Sequence, residues 1–274
     1  MKKIVIAFDG TNYSSGAMAF AVGLNKLSPI LLAGSFLPQI YLSSSWSYAV
    51  GGAGLYNPLL EDFNAEAIAE HVRRFEKTCN SEGIEWRVHQ YPYDLAIPEI
   101  RKETRFADLL LVGGETFYRH YGMERPNEYL RMALQEAECP VMVVPEEFPF
   151  PDRTVLAYDG SEDSVYAIRQ FALLFPELSK MPATLVHAAS KDHSGLPEKD
   201  YILELVSRHY PDLTVKTLES TTKKQLGESL KGHPSSLLVC GAFGRTDISM
   251  MFRRSFAAGA IIDHQFPIFI AHRS

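Results

Sequence analysis

Lys3-Ile-Val-Ile-Ala-Phe-Asp-Gly-Thr11 near the start of the chain and Arg153-Thr-Val-Leu-Ala-Tyr-Asp-Gly-Ser161 past its middle spell one pattern twice. Each is a basic residue, an apolar run, an aromatic residue, Asp-Gly and a hydroxyl residue, which reads as a buried strand leaving into a tight turn. The ends of the halves agree as well: Leu110-Leu-Val-Gly-Gly114 matches Leu237-Leu-Val-Cys-Gly241, and Cys139-Pro-Val-Met-Val-Val144 matches Phe266-Pro-Ile-Phe-Ile-Ala271. Gly114 to Pro140 and Gly241 to Pro267 are equally long, so this segment aligns without a gap. The chain is a tandem repeat, and a functional residue in one copy can be compared with its counterpart in the other.

The 274 residues divide naturally into two domains, 1–146 and 152–274, each large enough to bury its own core. With 46% hydrophobic and 22% charged residues, the composition is that of a globular protein. Met1 leads directly into a strand-like run without a signal-peptide pattern, and no apolar run approaches membrane-spanning length, so a cytoplasmic location and no membrane partner are expected. Cys79, Cys139 and Cys240 show no paired spacing, which points to neither a disulfide framework nor a zinc site. The sequon Asn12-Tyr13-Ser14 matters only in a secreted chain. The net charge of -6 is uneven: residues 1–147 carry 13 Lys and Arg against 19 Asp and Glu, and residues 148–274 carry 14 of each. An acidic chain without a basic stripe is a poor partner for nucleic acid, and the second half is the better host for an anion.

Alternating apolar runs and amphipathic stretches predict two tandem α/β units, each a doubly wound, mostly parallel five-stranded sheet with helices on both faces. Strands are expected over 3–8, 30–36, 84–90, 108–113 and 141–144, with helices over 14–27, 64–81, 97–105 and 127–138. The second half repeats the strands at 153–158, 183–188, 213–218, 236–240 and 268–271. Three prolines in Pro145-Glu-Glu-Phe-Pro-Phe-Pro151 mark the linker. An aromatic, glycine-bearing insertion, Pro38 to Leu60, lengthens the first half and is open to three readings: a loop packed on its own domain, a lid, or a dimer contact. His71, Arg73, Arg74 and Glu76 are expected on the solvated face of a helix.

Ligands of an open α/β sheet sit beyond the carboxyl ends of its strands. In the second half those ends carry Asp159-Gly160-Ser161 and Gly241-Ala-Phe-Gly244. Gly160 permits a sharp exit, Ser161 is a good helix N-cap, and Asp159 either accepts ribose hydroxyls or serves only the helix start. After Gly244 come nine residues, Arg245 to Arg253, and then Arg254-Ser255 opening an amphipathic helix. Glycines let backbone amides approach a phosphate, the helix start adds unpaired N–H groups, and Arg245, Arg253 and Arg254 add positive charge. The scattered histidines have no metal spacing, and no residue pattern names a nucleophile or general base, so no catalytic or metal-binding residue is assigned.

In these elements the chain resembles the universal stress protein family, over both copies. Val155-Leu-Ala-Tyr-Asp-Gly-Ser161 resembles the family's first strand and turn. Gly241-Ala-Phe-Gly-Arg-Thr246 with Ser255 resembles its loop of Gly-x-x-Gly, nine residues, then Gly and Ser or Thr. Ala183-Thr-Leu-Val-His187 echoes the second strand, where His187 either meets ligand or is satisfied in its own sheet. The resemblance implies adenine beside Ala188, bound ATP with any magnesium carried on its phosphates, and pairing of the last strands so that one chain imitates a dimer, with a further homodimer left open.

Two departures bear on this. Arg254 replaces the family's third glycine, where its side chain either blocks the backbone approach or contacts phosphate. In the first half Phe117 stands where Gly244 stands, and Asn127-Glu128 stand where Arg254-Ser255 stand, so that copy is expected to have lost nucleotide binding although it keeps Asp9-Gly10-Thr11. The function expected is a stress-responsive sensor or regulator binding an adenine nucleotide in the C-terminal domain. The alternatives are a scaffold acting through dimerisation or partner contact, and a slow ATPase with at most weak hydrolysis.

Overall fold

The computed structural model describes residues 1–37, 58–91, 95–119, 128–188, 195–218, 233–241 and 266–272, and at 58–64 and 188 the backbone alone. The first half runs β1 (Lys2–Phe8), α1 (Ser15–Leu27), β2 (Ile30–Phe36), α2 (Pro58–Ser81), β3 (Glu85–Gln90), α3 (Ala96–Arg105), β4 (Leu109–Gly113), α4 (Glu128–Glu136) and β5 (Val141–Val144). The second runs β6 (Arg153–Tyr158), α5 (Glu162–Leu174), α6 (Pro176–Ser179), β7 (Ala183–Ala188), α7 (Lys199–His209), β8 (Leu213–Leu218), β9 (Ser236–Gly241) and β10 (Ile268–Ala271). The expected strands all form, to within one residue at their ends. Helix α2 starts at Pro58 rather than at residue 64, so the tail of the insertion is helical. The rest of the insertion, 38–57, lies outside the described residues.

The two expected five-stranded sheets form and join edge to edge. Ten strands follow the order β3-β2-β1-β4-β5-β10-β9-β6-β7-β8. Pairing is parallel within each half, and the halves join where β5 and β10 run antiparallel, with Met142 opposite Phe269. The pairing of last strands that the resemblance implied is therefore present. Side chains alternate across the sheet, as the period of two requires. Ile4, Ile6, Phe8, Met142, Phe171 and Phe269 belong to one buried cluster, and Val5, Ala7, Val112, Val143, Ile268 and Ile270 to the other. Both clusters cross the junction, so the halves share their cores. Phe171 and Phe175 meet the Phe269 ring edge-on at 5.2 and 6.2 Å, fixing α5 over β10.

The linker is seated rather than free. Gly16, Phe20 and Gly23 fall on one stripe of α1, where Phe148 and Phe150 pack against Phe20 at 5.9 and 5.5 Å. A methyl group added at Gly16 would overlap the Pro145 carbonyl oxygen, and one at Gly23 would overlap the Phe150 ring. Helix α2 corrects a second expectation. Arg73 pairs with Glu70 at the surface, but His71 packs against Tyr13 with its Nδ1 buried and without a hydrogen-bond partner among the described residues. Burial holds the His71 pKa below its ordinary value. Arg74 lies 4.1 Å over the Tyr13 ring.

Two consequences are measurable. Gly16→Ala gains up to about 1 kcal/mol of helix propensity, yet its methyl meets backbone that cannot move without unseating the linker. The net expected change is a loss of about 2 kcal/mol or more, read from urea denaturation. Burial also pushes the thiols of Cys79, Cys139 and Cys240 up from 9.0 to about 12. A raised folded-state pKa contributes stability that is fully present below the unfolded value and lost as pH rises through the folded one. The melting temperature is expected to fall progressively between pH 9.0 and about 12, and less so when the three cysteines are replaced by alanine.

Candidate functional site

The chain leaves β1 for β2 on one side and later lays β4 on the other, and β6 stands in the same relation to β7 and β9. Each half thus has a switch point, where loops leaving the carboxyl ends diverge and open a crevice. In the C-terminal half, Gly160 turns the chain with φ 85°, and its counterpart Gly10 does so with φ 83°. This left-handed backbone favours glycine in both copies. A methyl at Gly160 would also lie 2.8 Å from Pro197 Cβ.

Ser161, not Asp159, caps the following helix: its hydroxyl accepts from the Ser164 amide at 3.2 Å. Asp159 braces the cap, with one carboxylate oxygen accepting from the Ser161 amide at 2.9 Å and hydroxyl at 2.6 Å. Its other oxygen has no hydrogen-bond partner among the described residues, and the side chain is exposed. An acceptor is therefore presented at the mouth of the crevice.

Tyr158 pairs with His187 across β6 and β7, which brings Ala188, the last residue of β7, beside Asp159. His187 is buried and its Nδ1–H donates to the Tyr158 carbonyl at 3.0 Å, so it is satisfied in its own sheet. Gly241 ends β9, and a methyl there would overlap the backbone of Asp163 and Ser164. Its glycine is demanded by the close approach of α5, a packing reason that the loop motif did not reveal. Cys240, one residue earlier, is held as a thiol, because burial, with the charge of Asp159 adding, pushes its pKa up to about 12. Asp159, Gly160, Ser161, Ala188 and Gly241 thus meet at one end of the sheet. Gly244, Arg245, Arg254 and Ser255 lie outside the described residues.

The N-terminal crevice has the same turn and a different interior. Helix α1 is capped by Ser14, three residues later than repeat spacing from Asp9 would place it, and Thr11 serves Asp9 instead. Asp9 is 2% exposed. It accepts from Thr11 N at 2.8 Å, Thr11 Oγ1 at 3.1 Å, Asn12 N at 2.6 Å, Asn12 Nδ2 at 2.8 Å and Tyr118 N at 2.7 Å. Both oxygens are occupied. Phe117 and Tyr118, in the turn after β4, are both buried, and Tyr118 reaches across to Asp9 through its amide. The start of α1 is also taken: Glu146 accepts from the Ser14 hydroxyl, from Ser15 N at 3.0 Å and from Gly16 N at 3.4 Å. Glu128 is exposed in the first turn of α4. Tyr118 and Glu146 escaped the sequence reading. Extending the gap-free alignment one residue past Phe117 would have set Tyr118 against Arg245, whereas Glu146 lies in the linker and had no such signal.

A continuous, doubly wound tandem sheet with a crevice at each switch point defines the class. No protein-family model matches the sequence, and no curated protein matches it. Among solved structures the chain is similar to a universal stress protein from Archaeoglobus fulgidus DSM 4304, at 14% identity and TM-score 0.72, over 99% of this chain and 98% of that one. It is similar at TM-score 0.55 to two Pseudomonas aeruginosa proteins. One, from strain UCBPP-PA14, is provisionally named a universal stress protein, with 11% identity over 99% and 93% of the chains; the other, from PAO1, is of unknown function, with 12% identity over 99% and 92%. The fold is that of the universal stress proteins. No described helix is long and apolar enough to cross a membrane.

The two aspartates separate experimentally. Asp9→Ala strands the buried Tyr118 amide and removes the partner of the Thr11 and Asn12 donors, and is expected to cost about 2 to 4 kcal/mol of stability. Asp159→Ala, at an exposed site, is expected to cost under about 1 kcal/mol. Paired thermal melts check the contrast.

Proposed function

We propose that the chain is a tandem member of the universal stress protein family, with domains 1–146 and 152–274. In this reading its C-terminal half binds ATP or a related adenine nucleotide, and the protein works in the cytoplasm as a stress-responsive sensor or regulator. The observation that carries the reading is the contrast between the aspartates: Asp159 offers an open acceptor beside Ala188 and Gly241, whereas Asp9 has none to offer. A carboxylate with a free oxygen suits ribose hydroxyls, which donate. The Gly241-x-x-Gly244 loop and Arg245, Arg254 and Ser255 supply the amides and charge a phosphate chain needs. Magnesium travels with the phosphates.

The proposal is of a binding protein. Cys240 is held as a protonated thiol, and no residue pattern in the sequence names a nucleophile or general base, so at most weak hydrolysis is expected. Calorimetry with ATP and magnesium is expected to show one nucleotide per chain, with about tenfold weaker binding in Asp159→Ala, the loss of one charge-assisted hydrogen bond. No heat and no thermal shift at millimolar nucleotide would remove the proposal. Arg254→Gly tests the scaffold alternative: weaker binding assigns the arginine to phosphate, and binding that only the variant shows means the arginine closes the site.

A further inference from the structure

The crevice of the N-terminal half holds a side chain in a pose unlike ordinary core packing. Tyr118 sits in the turn after β4 with φ 52°, a left-handed backbone that a bulky residue rarely adopts. Its ring is 1% exposed, stacks on Tyr129 at 4.2 Å with planes 25° apart, and meets Phe117 edge-on at 4.7 Å. Its hydroxyl donates to the Leu37 carbonyl and its amide to Asp9, each at 2.7 Å.

The internal repeat shows what these partners are. Phe36 pairs with Phe8 as His187 pairs with Tyr158, so Leu37 is the counterpart of Ala188, as Asp9 is of Asp159. Tyr118 itself aligns with Arg245. One residue therefore spans the crevice and satisfies, from inside the chain, the acceptors at both ends of the position that the other half leaves open at Asp159. A second residue completes the arrangement: the Glu146 carboxylate rests on the Ser15 and Gly16 amides at the start of α1, where an anion is favoured.

We propose that the N-terminal crevice is a self-liganded site: Tyr118 takes the place of a flat ring bearing a hydrogen-bond donor, and Glu146 that of an anionic group. The strained turn is held because the filled crevice over-determines it. This half keeps a ligand-bound arrangement without a small molecule, leaving one small-molecule site per chain. The inference rests on reading the switch-point crevices as ligand sites, but its test uses no nucleotide and so fails or succeeds independently of the proposed function.

Tyr118→Gly accepts the positive φ without strain, so its effect reads the missing ring. In the full chain the melting temperature is expected to fall by about 10 °C. Millimolar p-cresol, the excised side chain, is expected to return about half of that, toluene distinctly less, and neither to shift the wild type. Equal rescue by toluene reduces Tyr118 to a cavity filler and overturns the ligand-like hydrogen bond; no rescue, or an unchanged melting temperature, overturns the proposal outright. Where Tyr118→Gly does not fold alone, refolding yield with p-cresol against toluene gives the same reading. Independently, Glu146→Ala is expected to gain stabilisation from inorganic sulfate, relative to chloride at equal ionic strength, that the wild type does not show. An equal response in both removes the anionic half of the proposal.

Discussion

The antiparallel pairing of β5 with β10 is the constraint on which the rest of the molecule depends. Each half alone would end its sheet in a short, wholly apolar strand, Val141–Val144 or Ile268–Ala271, with an unpaired backbone edge. Bringing the edges together satisfies both rows of amides and carbonyls and extends the core clusters on both faces across the junction. It also sets α1 and α5 against the same sheet and leaves only a short path between β5 and β6. That explains why the proline-bearing linker is strapped to the Gly16, Phe20 and Gly23 stripe of α1 instead of hanging in solvent. The edges that remain, β3 and β8, are the polar ones.

Within this frame the two crevices have diverged through side chains and loop length while keeping one backbone turn. Gly10 and Gly160 differ by two degrees in φ. Thr11 pairs with Asp9 as Ser161 pairs with Asp159, but the added residues before α1 bring Asn12 to Asp9 as well, and the turn after β4 delivers Tyr118. A buried carboxylate is tolerable only when its oxygens are paired, so these additions act together: the donors make burial of Asp9 possible, and the buried Asp9 anchors the ring that closes the crevice. Asp159 needs no such company because it stays in contact with solvent.

The strands were legible because each is a short β-branched or apolar run seen twice, and the repeat doubled the signal; the linker was legible from its prolines. The start of α2 at Pro58 was not, since the insertion before it is rich in aromatic and glycine residues that carry no helical period, although proline suits a first helical turn. His71 was assigned to a solvated face because its neighbours Arg73 and Arg74 are charged. Its burial comes from Tyr13, brought over by the added residues after Asp9. At the candidate site Gly160 and Ser161 do what their residue types suggested. Gly241 is constrained by helix contact with Asp163 and Ser164, which no loop motif encodes.

Periodicity, duplication and turn chemistry were enough, by themselves, to determine two strand-and-helix units, their order, and the place along each where a ligand would be sought, because these depend on residues close together in the chain. How Asp9 is sealed while Asp159 stays open depended on the tertiary structure. Asp9 and Asp159 stand in nearly the same local sequence, and the difference is made by Asn12 beside Asp9 and by Tyr118, 109 positions away in the chain, whose amide reaches a carboxylate only when β1 and β4 lie side by side.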